Sequence, residues 1–297
     1  MMYPFGKGLS RFVPYLLLFI PLALYLLFYA GPSFMSVVYS FTDMTNVPGK
    51  GFRFVGLENY QKLFFSGNSH ERWASVGRTL YFTFTVTVVQ NGLGLLMAVI
   101  INQKLKGDRF YRSVFFLPVV LGVAVVSLIW TLMFDPISGP VQQIYQLFGY
   151  SDTFFGSFSN AFNYIIFVQI WMYMGYSMLI FLAGLQSVPK DLYEAGYIDG
   201  TSRWQSFKNI TFPLIAPSFT VNILLSIIGA MQTFDIILAT TDGKFNTRTM
   251  AYDVYKETFR GSLEMGLPSA LSVVQFLFIL AFVIVAVKLM RKREVEY

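Results

Sequence analysis

The sequence contains no cysteine and a single histidine, His70. The absence of cysteine excludes disulfide bonds, thiolate metal sites and cysteine nucleophiles. A single histidine likewise excludes metal sites built from several imidazoles. We therefore predict no catalytic residue and no metal site in this chain.

Charged residues are also scarce, at 13% of the chain, whereas a soluble domain carries about 25%. Hydrophobic residues make up 55%, and the mean hydropathy is +0.55. These values indicate an integral membrane protein. The net charge of +6 agrees with this interpretation, because the cytoplasmic loops of membrane proteins are enriched in Lys and Arg. The sequence has no basic face with interleaved aromatic residues outside the apolar stretches, so we predict that nucleic acid is not a partner.

Six stretches are free of Asp, Glu, Lys, Arg and His and reach the length of about 20 residues that a spanning helix needs. They run approximately over Phe12–Phe34, Thr79–Ile101, Ser113–Phe134, Ala161–Gln186, Phe212–Phe234 and Leu267–Val287. The sequence therefore predicts an all-α integral membrane protein with six transmembrane helices.

The distribution of basic residues between the connecting segments predicts the orientation. The short segment Asn102–Arg112 is rich in Lys and Arg, whereas the segment Asp135–Asn160 contains neither. Because Lys and Arg concentrate in short cytoplasmic loops, we expect both chain termini on the cytoplasmic side. The same rule places residues 187–211, between the fourth and fifth stretches, in the cytoplasm.

Two features of self-sufficient transporters are missing from the sequence. The six stretches contain no charged residue, although an ion or proton path usually needs one. Arg78 and Asp235 lie only at the predicted membrane edges. The chain also lacks the G-x-x-x-x-G-K-[ST] phosphate loop, so we expect that it does not hydrolyse ATP itself. Sodium sites made from carbonyl and hydroxyl oxygens remain an alternative.

The polar residues inside the predicted spans are neutral amides. They are Gln90, Asn91, Asn163, Gln169, Asn222, Gln232 and Gln275. Such groups suit a path for an uncharged, hydroxyl-rich solute. They equally suit hydrogen bonds between helices, which are often worth under about 1 kcal/mol each in membranes. The residue types alone leave both interpretations open.

Residues 187–211 form a polar insert whose pattern predicts two short helices joined by a turn. Ser187 and Pro189 favour a helix start, and Gly200 favours the left-handed conformation that ends a helix. Ser202, with Thr201, can cap a second helix. Pro213 is expected to open the fifth span, where a missing N–H costs little.

The first of these helices carries small and acidic residues. Leu192, Ala195 and Gly196 lie at helical spacing and form a narrow apolar stripe. This stripe would let another protein pack closely, with the carboxylates of Glu194 and Asp199 available to basic partners. The alternative is a loop that only covers the ends of its own helices.

The pattern E-A-G-x-x-x-G, followed after nine residues by I-x-x-P, resembles the EAA loop of bacterial ABC importer permeases. The segments "FVGLENYQKLF", "FYRSVFFLPVV", "GLQSVPKDLYEAGYIDG" and "FKNITFPLIAP" are similar to carbohydrate-type permeases. In particular they resemble the first of the two permease subunits, the maltose and glycerol-3-phosphate type. The resemblance covers nearly the whole chain. It departs at Gly196, where the family usually has Ala, and at "TTDGKFNTRT", where the family often has T-x-G-G-P.

This resemblance implies a type I ABC importer permease fold in a bacterial inner or plasma membrane, with no cofactor of its own. It also implies a second homologous permease subunit, an ABC ATPase dimer that binds ATP and Mg²⁺, and an extracytoplasmic solute-binding protein. The substrate would be a sugar or oligosaccharide, moved by alternating access. The residues that would couple to the ATPase are Glu194, Ala195, Gly196, Asp199, Gly200, Ile210 and Pro213.

The resemblance also suggests a division of the chain. Residues 1–74 would form the first transmembrane helix and an outer segment. Residues 75–290 would form the core domain of five helices with the coupling loop at 187–211, and residues 291–297 a cytoplasmic tail.

We expect an uncharged or weakly charged sugar to pass a path lined by Gln169, Tyr173, Asn222 and Gln232. Asn91 fits a contact between helices equally well. The alternative function is a self-sufficient secondary transporter or facilitator, which would work without an ATPase.

Overall fold

The computed structural model describes residues 9–47, 49–67, 69–103, 106–261 and 263–291. Within these ranges the regular structure is helical, apart from the isolated β-bridges Thr42↔Phe54 and Thr45↔Glu264. The predicted cytoplasmic tail beyond Arg291 lies outside the described residues. The all-α prediction is therefore confirmed for the part of the chain that the structure describes.

The α-helices in chain order are α1 (Leu9–Tyr25), α2 (Gly31–Tyr39), α3 (Glu58–Phe65), α4 (Ser69–Asn102), α5 (Asp108–Met133), α6 (Pro140–Leu147), α7 (Ala161–Ser187), α8 (Lys190–Ile198), α9 (Arg203–Ser206), α10 (Phe212–Leu214), α11 (Ala216–Gln232), α12 (Asp235–Thr240), α13 (Met250–Phe259) and α14 (Gly266–Arg291). Single π-helical turns occupy Leu26–Ala30 and Phe207–Thr211, and a 3₁₀ turn occupies Phe154–Gly156.

Five helical segments in the described ranges are long and apolar enough to cross a membrane, and a bent pair gives a sixth. They are Leu17–Tyr39, Ser69–Asn102, Asp108–Met133, Ala161–Ser187, Gly266–Met290 and the pair Arg203–Leu214 with Ala216–Gln232. Each of these segments overlaps one of the six predicted stretches, with different limits.

The first span, Leu17–Tyr39, ends later than the predicted limit at Phe34. A π-helical turn at Leu26–Ala30 precedes Pro32 within this span. In a regular α-helix the Pro32 ring would clash with the carbonyl of Phe28. The wider turn avoids this clash, so the helix continues through the proline.

The fifth span begins later than predicted and is bent. The helix that contains Phe212 breaks at Ile215, where φ is −90° and ψ is 7°, and the two parts meet at 65°. Pro217 has no N–H, and its ring would clash with the carbonyl of Pro213 in a continuous helix. Pro213 therefore lies before the break, and Pro217 instead occupies the first turn of the span that starts at Ala216.

Contacts divide the chain into two compact units. The first comprises Met1–Ser69 and Lys256–Val274. Its segment between α2 and α3 is held by the side-chain amide of Asn59, which donates hydrogen bonds to the carbonyls of Ser40 (3.0 Å) and Thr42 (2.9 Å). These two bonds satisfy carbonyls just beyond the end of α2.

The second unit comprises His70–Tyr255 and Gln275–Tyr297, and α7 is its central helix. In α7, 61% of the most apolar window is buried, against 33% in α4 and 17% in α5. The helix contributes Ile165 to one apolar cluster, with Phe82 and Phe154, and Phe181 to another, with Ile215.

The α7 backbone approaches α5 very closely at Gly175. A Cβ atom at this position would overlap the carbonyl group of Phe115 in α5. By contrast, a Cβ atom at Gly92 in α4 would meet open space. Only glycine therefore allows this crossing of α5 and α7.

We expect Gly175→Ala to destabilise the protein by about 1–3 kcal/mol, because the added methyl group must push two helix backbones apart. The measurement is the thermal unfolding midpoint of the full-length protein in detergent. Gly92→Ala is the matched control and should keep the midpoint or raise it slightly, because alanine favours a helix and the added methyl group meets open space. Equal midpoints for the two variants would contradict the close crossing.

Candidate functional site

The insert at residues 190–214, here called the hairpin, folds as two short helical pieces joined by a tight turn. Helix α8 ends at Ile198 with Asp199 as its C-cap, and Gly200 follows with φ of 75°. Only glycine adopts this left-handed conformation at little cost. The N–H of Thr201 donates to the carbonyl of Gly196 (3.0 Å), and its hydroxyl donates to the same oxygen (2.8 Å). The predicted turn at Gly200 is confirmed.

The second piece of the hairpin begins with a capping box. The N–H of Gln205 donates to the Ser202 hydroxyl (3.3 Å), and the N–H of Ser202 donates to the Gln205 side chain (2.7 Å). Each bond satisfies a backbone donor that the helix start would otherwise leave free. The predicted cap is thus Ser202, while Thr201 closes the turn instead.

Gly196 lies inside the hairpin and not on its outer surface. It is buried, and a Cβ atom there would lie 3.0 Å from the Thr201 hydroxyl and 3.1 Å from Cδ1 of Ile210. The expectation that Gly196 offers a small surface to a partner is therefore wrong. Its small size instead lets the two helical pieces approach each other.

The remaining predicted coupling residues divide between the tip and the root of the hairpin. At the tip, Glu194, Ala195 and Asp199 are exposed. At the root, Ile210 and Pro213 are half-buried.

Large apolar side chains lie exposed beside the acidic residues of the tip. Tyr197 is 84% exposed, Ile198 83% and Trp204 69%. Three such side chains in one short hairpin are typical of a surface that another protein or the membrane covers.

The root of the hairpin is fixed to the second unit by both polar and apolar contacts. The Tyr193 and Thr211 hydroxyls lie 2.9 Å apart, within hydrogen-bonding distance. Tyr193 and Ile210 also pack against the apolar cluster that contains Phe181 and the fully buried Ile215. The hairpin is therefore joined directly to the helix break at Ile215.

A second candidate site is a cavity of about 370 Å³ between α4, α5, α7, α11 and α12, here called the amide-lined cavity. Its lining residues are Val86, Gln90, Val119, Gln169, Tyr173, Tyr176, Ser177, Asn222, Leu225, Ser226, Gly229, Ala230, Gln232, Thr233, Phe234 and Asp235. The four residues predicted for the substrate path, Gln169, Tyr173, Asn222 and Gln232, all lie in this one wall. Asp235 is the only charged residue among those that line it.

Hydrogen bonds tie three helices together around the cavity. The Gln90 amide of α4 donates to the Ser177 hydroxyl of α7 (2.9 Å) and to the Ser226 hydroxyl of α11 (3.4 Å). The Asn222 amide of α11 donates to the carbonyl of Ser177 (3.3 Å). These amides hold helices together and also face the cavity, so the two interpretations of the neutral amides are not exclusive here.

Other amides serve only as contacts between helices. The Asn91 amide of α4 donates to the Ser226 hydroxyl of α11 (3.0 Å) without lining the cavity. The Gln275 amide of α14 donates to the carbonyl of Met231 (3.0 Å). In the structure, Asn91 therefore forms a contact between α4 and α11.

Sequence reasoning missed several polar residues of the cavity wall. Tyr176 and Ser177 lie seven and eight residues after Gln169 in α7. They lie three and four residues after Tyr173. Residues at such spacings share one face of a helix. The same spacing rule connects Asn222 with Ser226, Gly229 and Thr233 in α11, and it was the signal that could have identified them.

The segment "TTDGKFNTRT", between α12 and α13, is a tightly wound loop. Asp242, Phe245 and Asn246 have φ values of 51°, 54° and 59°, a conformation that is uncommon for residues other than glycine. The hydroxyls of Thr241 and Thr247 lie 2.6 Å apart at the base of this loop. The segment that departs from T-x-G-G-P therefore folds into a turn closed by Thr241 and Thr247.

Arg248 fixes the end of this loop to the second unit. Its guanidinium group pairs with the buried carboxylate of Asp253 at 2.6 Å and with the exposed carboxylate of Glu71. The Arg78 side chain in turn donates to the carbonyl of Arg248 (2.8 Å). Arg78, near the start of α4, thus links this helix to the loop through the Arg248 carbonyl.

Comparisons with known proteins agree with this architecture. The family described as "Binding-protein-dependent transport system inner membrane component" matches residues 90–293. The trehalose/maltose transport system permease protein MalF of Thermococcus litoralis is 34% identical over 85% of this chain and 84% of its own. The starch degradation products permease AmyD of Thermoanaerobacterium thermosulfurigenes, described as probable, is 32% identical over 89% of both chains. The sn-glycerol-3-phosphate permease UgpA of Yersinia pestis is 31% identical over the full length of both.

A solved structure shares the fold. A chain of a bacterial ABC transporter that imports the acidic polysaccharide alginate superposes with a TM-score of 0.82, at 20% identity, over 96% of this chain and 98% of that one. At this identity the likeness supports the fold alone, the type I ABC importer permease fold. The resemblance inferred from the EAA-type loop is confirmed, and the chain belongs to the family of binding-protein-dependent transport system inner membrane components.

Proposed function

We propose that this chain is the permease subunit of an ATP-driven importer for a neutral sugar or oligosaccharide. The observation that carries the proposal is the hairpin, whose tip exposes Glu194, Asp199 and large apolar side chains while its root joins a span that lines the amide-lined cavity. The similarity to permeases named for sugars supports the substrate class. Since the chain has no phosphate loop of its own, ATP and Mg²⁺ would be bound by a partner ATPase dimer.

The assembly would contain further partners of the kind that the family description names. An extracytoplasmic solute-binding protein would deliver the sugar, and a second, homologous permease subunit would complete the pore. The proposed division remains residues 1–74, a core of residues 75–290 and a tail of residues 291–297.

The proposed mechanism is alternating access driven from the hairpin. Closure of the ATPase dimer would move the tip, including Glu194, Ala195, Asp199 and Gly200. The root at Ile210 and Pro213 would pass the movement to α11 through Ile215. Because α11 carries Asn222 and Ser226 of the cavity wall, this movement would change the cavity. A partner shifts such an equilibrium only by binding one state better than the other.

The orientation that this mechanism requires has both termini and the hairpin in the cytoplasm. The charge distribution supports it. Because the chain has no cysteine, single cysteines can report the orientation without further changes.

We expect Asp199→Cys, in the hairpin, to resist a membrane-impermeant maleimide in intact cells and to react after the cells are opened. Ser138→Cys, in the exposed segment after α5, is the matched control and should react in intact cells. The reverse pattern would place the hairpin outside and would rule out the proposed coupling.

We expect Glu194→Lys to reduce ATP-driven uptake strongly while the protein still inserts into the membrane, because the reversed charge lies in the proposed contact with the ATPase. Gly200→Pro should act in the same way, since proline cannot adopt a φ of 75°. The measurements are uptake in vesicles and co-purification with the ATPase. Glu58→Lys, an exposed reversal in α3, should leave co-purification intact. Uptake at the wild-type rate in well-expressed Glu194→Lys would contradict the docking role.

The composition of the amide-lined cavity favours a neutral substrate. Its wall offers amides, hydroxyls and the rings of Tyr173 and Tyr176, which suit sugar hydroxyls and sugar faces. Its one charged residue is a carboxylate, Asp235. Among the described residues of the wall no cation would balance the charge of an anionic sugar, and an unpaired charge is costly to bury.

We expect Gln232→Ala and Tyr173→Ala to change the ratio of maltose to trehalose uptake by about two- to tenfold, the range expected for one lost hydrogen bond. Co-purification with the ATPase should not change. Met231→Leu is the control, because Met231 is buried next to Gln232 but does not line the cavity. An unaltered ratio for every sugar tested would remove both residues from the substrate path.

A further inference from the structure

A second polar cavity, of about 550 Å³, lies at the root of the hairpin, away from the amide-lined cavity. It is bounded by the end of α4, the start of α5, the end of α7 and the start of α8. Its polar lining residues are Asn102, Asp108, Arg112, Gln186, Lys190 and Tyr193. On the proposed orientation, these helix ends lie at the cytoplasmic surface of the membrane.

The cationic groups of this cavity have unused hydrogen-bonding capacity. The Arg112 guanidinium pairs with Asp108 through one nitrogen at 3.0 Å. Its Nε–H is buried and has no hydrogen-bond partner in the described part of the chain. Guanidinium groups bind phosphate through several N–H donors at once, and the Arg112 side chain is about one-third exposed, so this exposed part can meet a second acceptor in the cavity.

Two further features of the wall favour an anion. Lys190 is exposed and forms no ion pair with the described residues. It is also the first residue of α8, whose N-cap, Pro189, supplies no side-chain acceptor for the free N–H groups of the first turn. The start of a helix carries a partial positive charge, which is offset in part by the carboxylate of Asp191 in the same turn and adds to the charges of Arg112 and Lys190.

We propose that this cavity binds an anionic phosphate group at the cytoplasmic membrane surface, supplied by the headgroup of an anionic phospholipid or by free phosphate. Basic pockets between transmembrane helices on this side of a membrane are typical sites for phospholipid headgroups. Because Arg112 lies on α5 and Lys190 on α8, the phosphate would connect the hairpin root to the spanning helices. The location at the cytoplasmic surface rests on the proposed function, whereas binding of the phosphate does not require transport.

The test compares the full-length protein in phosphatidylcholine nanodiscs with and without phosphatidylglycerol. Native mass spectrometry measures the phosphatidylglycerol that stays bound, and the thermal unfolding midpoint is measured with and without inorganic phosphate. Arg112→Gln and Lys190→Gln should each weaken binding by about tenfold, the loss expected for one charge-assisted hydrogen bond. Arg109→Gln, on α5 but outside the cavity lining, is the matched control and should bind as the wild type does.

We expect Asp108→Asn to change phosphate binding in the opposite direction from Arg112→Gln and Lys190→Gln. This change removes the carboxylate that competes for Arg112, so phosphate should bind more tightly. The Asp108–Arg112 pair is about one-third exposed and contributes little to stability, so the variant should fold. If Arg112→Gln fails to fold, Lys190→Gln decides the test, because that side chain is exposed.

Each outcome bears on the proposal separately from transport. Retention of phosphatidylglycerol supports the site with a lipid source, and a response to inorganic phosphate alone supports it with a soluble source. The proposal is overturned if neither ligand binds, or if Arg109→Gln loses as much binding as Arg112→Gln. Failure of the Glu194→Lys prediction would leave this measurement unaffected, so the two proposals fail independently.

Discussion

The clash between the Pro217 ring and the Pro213 carbonyl is the constraint on which the site architecture depends. In a continuous helix, proline has no N–H to donate to the carbonyl four residues earlier, and its ring clashes with that carbonyl. The helix therefore breaks at Ile215, and its two parts meet at 65°. Without this break, the second piece of the hairpin, Arg203–Leu214, and α11 would form one straight helix. With it, the hairpin can lie at an angle to the span while Ile215, fully buried, keeps the junction packed against the second unit.

Hydropathy and local signals predicted much of the fold because they act within a few residues. The six apolar stretches, the left-handed turn at Gly200 and the cap at Ser202 all depend on neighbours in sequence. The sequence also contains the signal for the break at Ile215. To predict this break, Pro213 and Pro217, four residues apart, must be considered together. Taken alone, Pro213 looks like an ordinary first-turn proline.

The features that sequence reasoning missed depend on contacts between distant segments. Gly196 is buried because Ile210, on the other piece of the hairpin, lies against it. Gln90 and Asn91 are adjacent and chemically alike, yet only Gln90 lines the cavity. Which amide turns toward the cavity is decided by the rotation of α4 against α7 and α11, and no local pattern of one helix contains that information.

Differences in packing indicate which helix moves in the proposed mechanism. The α5–α7 crossing leaves no room at Gly175, and a close-packed backbone contact of this kind resists sliding. Across the cavity, α11 is held to its neighbours by side-chain hydrogen bonds, from Asn222 to Ser177 (3.3 Å) and from Gln90 (3.4 Å) and Asn91 (3.0 Å) to Ser226. Each such bond contributes only about 1 kcal/mol, so side chains can exchange partners more easily than the backbone crossing at Gly175 can shift. We therefore expect α11 to follow the hairpin while α5 and α7 remain together as the fixed wall of the cavity.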